Sequence, residues 1–130
     1  MRLLLDADVL IGALDGDDKH HRQARELFTP WRQQQATRMI SVVNLTEVLI
    51  APARDRGKLT VAREAITALG LSVHCPNEAI GVDAARLRQR HPISLPDAYC
   101  LATARHTGAT LVSFDRKVLR ASEHERINVS

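Results

Sequence analysis

The chain has 130 residues, of which 45% are hydrophobic and 25% are charged, and its formal net charge is +3. This length suffices for one domain with its own hydrophobic core, so we expect a single domain over residues 1–130. No apolar run approaches the roughly 20 residues that span a bilayer, and an acid at position 6 stands too early for a secretory signal, so we expect a cytoplasmic protein without a membrane partner.

Short apolar runs alternate with helical patterns along the chain. We expect strands at residues 2–6, 38–41, 71–75 and 109–114, with a short final strand at 126–129. We expect helices at residues 8–14, 18–28, about 42–50, 60–69, 77–90, 94–107 and 116–121. Pro30 is expected to end or kink the second helix because it cannot supply the helical N–H. Strands that alternate with helices predict an α/β fold, a three-layer α/β/α sandwich with a mainly parallel sheet.

Four carboxylates stand in apolar segments that a globular chain usually keeps for its core. Asp6 and Asp115 each end an apolar strand, whereas Glu47 and Asp97 lie in apolar helical segments. Burying an unpaired charge is costly, so each acid needs a partner or a metal. These segments contain no obvious basic partner, and a ligand set made only of oxygen atoms suits Mg²⁺ or Mn²⁺.

The predicted elements place these acids at one edge of the sheet. Asp6 and Asp115 follow strands, and the carboxyl ends of parallel strands are where ligands bind in open sheets. Glu47 has Val43, Ile50 and Ala51 as its helical neighbours, so we expect it on the buried face of its helix. Clustered acids without a metal repel one another, so some of them should have raised pKa values.

Each acid also has a purely structural interpretation. Asp115 would cap the helix that follows it, Asp97 would complete a capping box, and Asp6 or Asp8 would cap the first helix. Glu47 would pair with an arginine. Capping does not account for Glu47, and all four acids together favour a metal site over four separate structural roles.

The positive charge of the chain is carried mainly by arginine, which supplies fifteen of the eighteen basic side chains. The planar guanidinium suits phosphate, although many arginines merely pair with acids on helix surfaces. An acidic pit within a basic surface is what a metal-dependent nuclease needs to attract a polyanion. With only four Phe, Trp and Tyr residues, we do not expect a stacking platform of the kind used by RNA-recognition sheets.

Four segments resemble the motifs of PIN-domain ribonucleases. They are Leu4–Ile11, Asn44–Leu49, Leu95–Ala104 and Leu111–Asp115, the last with a hydroxyl residue two positions before the acid. Their order and spacing resemble those of the VapC toxins of bacterial toxin–antitoxin pairs over essentially the whole chain. Asp8 departs from the asparagine, serine or threonine common in the family and is a secondary site candidate.

The resemblance implies a PIN-like fold and an endoribonuclease that hydrolyses RNA with Mg²⁺ or Mn²⁺. It implies that Asp6, Asp97 and Asp115 hold the metal, and that Glu47 orients a metal-bound water or helps to hold a second ion. Ser113 is a further secondary candidate, either for a hydrogen bond to that water or the phosphate, or simply to close the strand end. The resemblance also implies a cognate VapB-like antitoxin and a homodimer.

Two other functions are open at this point. A haloacid-dehalogenase-like phosphatase has an Asp-x-Asp nucleophile motif after a strand, which Asp6 and Asp8 resemble, but it needs a downstream lysine. None of Lys19, Lys58 and Lys117 is convincingly placed for that role. A non-catalytic PIN module would bind RNA or protein equally well after Asp6→Asn.

Overall fold

The computed structural model describes residues 1–130, with four strands and seven helices. The strands are β1 (Arg2–Leu5), β2 (Thr37–Ser41), β3 (Leu71–His74) and β4 (Thr110–Val112). The helices are α1 (Ala7–Leu14), α2 (His21–Gln34), α3 (Val42–Leu49), α4 (Arg56–Ala68), α5 (Glu78–Arg90), α6 (Leu95–Thr107) and α7 (Arg116–His124). A 3-10 turn spans Pro52–Arg54.

The four strands form one parallel sheet in the order β3-β2-β1-β4. Leu4 in the centre of β1 pairs with Met39 on one side and with Leu111 on the other. The chain adds β2 and β3 on one side of β1 and then returns to add β4 on its other side. In such a sheet, ligands bind in the crevice beyond the carboxyl ends of the strands, at the point where the strand order reverses.

Alternating side chains of the central strand divide the core between the two faces of the sheet. Leu4 belongs to a cluster of 16 buried residues that includes Leu87 of α5 and Leu101 of α6. Leu3 and Leu5 belong to a second cluster, which contains the aromatic side chains of α2. Helices thus cover both faces, and the predicted three-layer α/β/α sandwich with a parallel sheet is confirmed.

The predicted end of the second helix at residue 28 is wrong, because α2 continues through Pro30 to Gln34. Phe28 and Trp31 on either side of the proline are 3% and 5% exposed, and their rings contact edge to face with centroids 4.9 Å apart. A proline in a helix interior costs about 3 kcal/mol, whereas losing one buried Phe or Trp costs about 3–5 kcal/mol. Packing of the aromatic pair outweighs the missing hydrogen bond.

The predicted final strand is reduced to a single bridge between Val129 and Leu111. Arg126 adopts a left-handed conformation with φ of 57°, and beyond it the chain pairs with β4 only through hydrogen bonds between Leu111 and the backbones of Asn128 and Ser130. The predicted helix at 60–69 begins earlier, at Arg56, because the Asp55 side chain accepts a hydrogen bond from the Lys58 amide and caps it. No helix in the structure combines the length and apolarity needed to cross a membrane.

Candidate functional site

Asp6 and Asp115 follow the adjacent strands β1 and β4 at the carboxyl edge of the sheet. The amide of Asp6 donates to the Val112 carbonyl at 2.9 Å, so strand pairing continues up to this acid, whose side chain is buried. The Ser113 hydroxyl donates to Asp6 Oδ2 at 2.7 Å and accepts from the Asp115 amide at 3.1 Å. Ser113 therefore joins the two acids through one hydroxyl group.

Asp8 lies in the first turn of α1, half-buried beside the same strand end. Its Oδ2 atom accepts a hydrogen bond from the Phe114 amide at 3.0 Å. Its Oδ1 atom is buried and has no hydrogen-bond partner. Buried carboxylate oxygens are almost always paired, so an orphaned one points to a missing ligand. Asp8, a secondary candidate from the sequence, thus lies beside the ends of β1 and β4 with one carboxylate oxygen free.

Glu47 is held at the site by Asn44, one turn earlier on α3. The Asn44 amide nitrogen donates to Glu47 Oε1 at 3.1 Å and to the Pro96 carbonyl at 3.2 Å. Asn44 and Val48 are the buried positions of this helix, whereas Glu47 is half-buried at its side, so the prediction that Glu47 lies on the core face is wrong. Sequence reasoning gave Asn44 no role, although its spacing of three residues from Glu47 places both on one helix face.

Asp97 lies in the first turn of α6, next to the Pro96 carbonyl that binds Asn44. It forms a capping box in which the Asp97 amide donates to Ser94 Oγ and the Ser94 amide donates to Asp97 Oδ2, both at 3.2 Å. The Asp97 charge acts on both Asp6 and Glu47 and raises the pKa of each. The start of α6 therefore adds a carboxylate between β1 and α3.

The interpretation that three of the acids cap helices is correct. Asp6 caps α1, Asp97 belongs to a capping box, and Asp115 accepts from the Lys117 and Val118 amides at 2.8 and 3.4 Å. The pairing of Glu47 with an arginine is wrong, since none of the ion pairs in the structure includes an acid of this cluster. Capping thus leaves the negative charge of the cluster uncompensated.

The electrostatics of the cluster follow from burial and like charges. Burial, together with the negative charges of Asp8 and Asp97, raises the pKa of Asp6 to about 7, although the hydrogen bond from Ser113 opposes this rise. Burial raises the pKa of Asp8 to about 6, against the lowering effect of the Phe114 amide. Burial also raises the pKa of Glu47, opposed by its hydrogen bond from Asn44. Raised pKa values within the cluster are what the sequence predicts.

The cluster fits a hard divalent cation in donor type and charge. Its side chains offer only carboxylate oxygens, which suit Mg²⁺ or Mn²⁺, and the orphaned Asp8 Oδ1 is a free ligand atom. No three His, Cys, Asp or Glu side chains are arranged to hold an ion as they stand. Capping bonds engage Asp97 and Asp115, and Ser113 engages Asp6. Side-chain rotation would have to accompany binding.

Comparisons with known proteins agree with this architecture. The PIN domain family model matches residues 3–123. Among solved structures, a toxin–antitoxin complex from Klebsiella pneumoniae aligns with a TM-score of 0.73 and 24% identity, covering 90% of this chain and 89% of that chain. VapC20 of Mycobacterium tuberculosis, a toxin that cleaves the sarcin-ricin loop, aligns with a TM-score of 0.74 and 20% identity over 92% and 94% of the two chains.

FitAcB from Neisseria gonorrhoeae aligns with a TM-score of 0.71 and 18% identity, covering 98% of this chain and 95% of that chain. No curated protein sequence matches the chain. At these identities the structural likeness concerns the fold, and the family model supplies the relationship in sequence. The chain belongs to the PIN domain family.

Proposed function

We propose that this chain is a metal-dependent endoribonuclease that acts in the cytoplasm as the toxin of a toxin–antitoxin pair. The observation that carries the proposal is the group of five carboxylates at one sheet edge, none of which forms an ion pair. They are Asp6, Asp8, Glu47, Asp97 and Asp115. The likeness to VapC20, which cleaves the sarcin-ricin loop, supports RNA as the substrate.

Some residues of the cluster would hold a cation, and Glu47 would orient water. Asp6, Asp97 and Asp115 would hold Mg²⁺ or Mn²⁺, with the free Asp8 Oδ1 as an additional ligand atom. When bound, the cation would acidify water and neutralise charge on the phosphate oxygens. Glu47, fixed by Asn44, would accept a hydrogen bond from the attacking water and orient it. Breaking the P–O3′ bond in this way leaves a 3′ hydroxyl and a 5′ phosphate.

A cleavage assay with defined product ends tests the reaction. We expect the purified protein to cut a structured RNA with Mg²⁺ or Mn²⁺ and to stop when EDTA is added. Asp6→Asn should abolish cleavage, whereas Asp17→Asn, which changes an exposed acid outside the cluster, should not. A cyclic 2′,3′-phosphate product, or full activity in chelator, would contradict hydrolysis by this site.

A groove beside the acid cluster supports the proposal of an antitoxin partner. It has a volume of about 960 Å³, lies between α1, α3 and α4, and has Glu47 in its wall. Ile11, Leu14 and Val61 give it an apolar lining. A VapB-like segment would place aliphatic side chains there and an arginine against the unpaired carboxylates. The likeness to a toxin–antitoxin complex from Klebsiella pneumoniae is in line with this partner.

Growth assays test the toxin and its partner. Expression of the chain alone should arrest growth, and Asp6→Asn should not. Co-expression with a small neighbouring gene should restore growth, and the two proteins should co-purify. Harmless overexpression of the folded wild type in a host without an antitoxin would contradict the toxin role. The homodimer stays a prediction, to be measured by light scattering of the purified chain.

The two alternative functions have different tests. The phosphatase needs a lysine at the site, but Lys19, Lys58 and Lys117 are exposed and form no ion pair with the cluster. It would also form an aspartyl-phosphate on Asp6, which mass spectrometry detects. A non-catalytic module would show no cleavage and would bind RNA or its partner unchanged after Asp6→Asn.

A further inference from the structure

An aromatic contact between His20 and Phe114 borders the acid cluster. The two ring centroids are 4.5 Å apart, and the ring planes are inclined by 30°. Phe114 directly precedes Asp115, and its amide donates to Asp8 Oδ2 at 3.0 Å. The ring pair is therefore fixed to the same backbone that positions two of the acids.

The backbone of His20 is held by hydrogen bonds, while its imidazole nitrogens have no hydrogen-bond partner within the chain. The His20 amide donates to Asp18 Oδ2 at 2.9 Å, and the His20 carbonyl accepts from the Ala24 amide at 2.9 Å at the start of α2. The imidazole is half-buried, and its nitrogens form no hydrogen bond within the chain. The next residue differs, since His21 Nδ1 lies 2.8 Å from the Gly12 carbonyl. The His20 ring thus remains available for a ligand.

The other large aromatic side chains of the chain serve the core. Phe28 and Trp31 are 3% and 5% exposed. Tyr99 packs against the larger core cluster, with its hydroxyl beside Gly81 of α5. Phe114 is half-buried and also packs against the second core cluster, but its amide donates to Asp8 and its ring contacts His20, so it is the aromatic side chain that borders the acids. The sequence excludes a broad stacking platform, but a single ring pair is sufficient to hold one nucleobase.

We propose that the His20–Phe114 pair is a nucleobase subsite, in which the base of a nucleotide next to the cleaved phosphate stacks on the His20 imidazole with Phe114 behind it. This inference rests on the proposed nuclease function and specifies its substrate class. A base can reach the ring only when it is unstacked from its own helix, so the subsite selects single-stranded or loop RNA over duplex RNA. Stacking accepts every base, because each has a π-face.

Binding of a short fluorescent single-stranded RNA in EDTA tests the subsite without any cleavage. We expect His20→Ala and Phe114→Leu to raise the Kd about tenfold, in line with the loss of one stacked base. His20→Tyr keeps a flat ring but removes the imidazole, and it should bind within about twofold of the wild type. His124→Ala, an exposed histidine on α7, is the matched control and should leave the Kd unchanged.

Abasic substitution of the RNA links the effect to one base. Scanning an abasic nucleotide along the RNA should weaken wild-type binding at one position, and His20→Ala should be insensitive to that substitution. Equal sensitivity of His20→Ala and the wild type, or unchanged Kd values in both ring variants, would overturn the subsite. Failure of the wild type to bind single-stranded RNA would overturn it as well.

Two further measurements separate this inference from folding and from the proposed reaction. Melting temperatures identify a variant that fails to fold; if Phe114→Leu is one, His20→Ala carries the loss-of-ring test alone, and Phe114→Tyr, which keeps the ring, should bind like the wild type. Cleavage with Mg²⁺ is followed in parallel. Ring-dependent binding without any cleavage would contradict the nuclease and support the subsite. Cleavage whose KM is unaffected by His20→Ala would support the nuclease and overturn the subsite.

Discussion

The Ser113 hydroxyl donates a hydrogen bond of 2.7 Å to Asp6 Oδ2 across the ends of β4 and β1. The Ser113 hydroxyl oxygen in turn accepts a hydrogen bond from the Asp115 amide at 3.1 Å. A donor to a carboxylate stabilises its ionised form, and this bond lowers the pKa of Asp6 against the effect of burial. Ser113 therefore reduces the free-energy cost of ionising Asp6, the most buried acid in the cluster.

Replacing Ser113 by alanine should destabilise the protein more at high pH than at low pH. At pH 8.5 Asp6 is largely ionised, and the loss of its donor should lower the free energy of unfolding by about 1–3 kcal/mol. At pH 5.5 Asp6 holds its own proton and the loss should be smaller, because its pKa is about 7. Urea unfolding at both pH values measures this. Ser113→Thr, which keeps the hydroxyl, is the control, and equal losses at both pH values would contradict the role of Ser113.

Replacing Asp6 by asparagine should stabilise the metal-free protein above pH 7. The folded state keeps the Asp6 proton up to about pH 7, whereas the unfolded chain loses it near 3.8. The folded state thus binds more protons between these values, and stability falls as the pH rises through this window. At pH 8 the variant should be more stable than the wild type by roughly 2–4 kcal/mol, and the difference should vanish near pH 4.

Magnesium should reverse the order of stability, so that the wild type becomes more stable than Asp6→Asn. A cation that binds the folded site raises the melting temperature of the wild type, and it should do so much less for Asp6→Asn. Asp17→Asn, at an exposed position, should behave like the wild type throughout. A wild type whose stability is flat between pH 4 and 8, or is unaffected by millimolar magnesium, would refute the buried metal-binding role of Asp6.

The positions of Asp6 and Asp115 could be predicted from the sequence because local patterns determine them. Each acid directly follows a buried strand, and parallel strands bring their carboxyl ends to one edge. The role of Asn44 could not be predicted, since its second partner is the Pro96 carbonyl, 52 positions further along the chain. Nothing in the pattern of α3 distinguishes this contact from an ordinary polar surface position.

Tertiary packing also overrides local preference elsewhere. Pro30 predicts a helix end, but the buried Phe28 and Trp31 hold both sides of the proline in one helix. The contact of His20 with Phe114 is likewise invisible in sequence, because it joins the start of α2 to the end of β4. Capping and clustering both predict Asp6, Asp97 and Asp115, so for these three acids the sequence does not separate the two roles, and Glu47 alone favours clustering.

Replacing Asn44 by alanine should reduce activity through Glu47. The variant leaves the Glu47 side chain without its donor and removes the link to the Pro96 carbonyl. We expect kcat to fall by about 10–100-fold and the free energy of unfolding to fall by about 1–3 kcal/mol. Thr46→Ala is the control, since its hydroxyl contacts only the Val42 carbonyl of its own helix. Reduced stability with unchanged kcat would assign Asn44 a purely structural role.

The opposite pH dependence of stability is expected for Glu125, which directly follows the end of α7 and lies away from the acid cluster. Glu125 accepts hydrogen bonds from Arg90, His91 and Arg105, and these lower its pKa to about 2, with Arg90 contributing most. The folded state therefore binds fewer protons between pH 2 and 4.5, so this stabilisation is present above pH 4.5 and is lost as the pH falls toward 2.

Replacing Glu125 by glutamine should accordingly flatten the acid limb of the stability curve. Urea unfolding at intervals between pH 5 and pH 2.5 measures the slope. Glu123→Gln, an exposed neighbour without an ion pair, should keep the wild-type slope. Identical acid limbs for the two variants would show that the contacts of Glu125 do not contribute to stability.

The exposed basic face at the start of α7 should bind the RNA backbone. Arg116 and Arg120 lie one turn apart directly after Asp115, and neither forms an ion pair. Replacing both by alanine should weaken binding to all RNA sequences alike. It should also lower the slope of log Kd against log salt concentration by about 1–1.5, because each phosphate contact on a single strand contributes about 0.7 to that slope. Arg22→Ala, 94% exposed and paired with Glu26 on α2, is the control. A variant that loses affinity for one RNA sequence only, with an unchanged salt slope, would indicate base contacts rather than phosphate contacts.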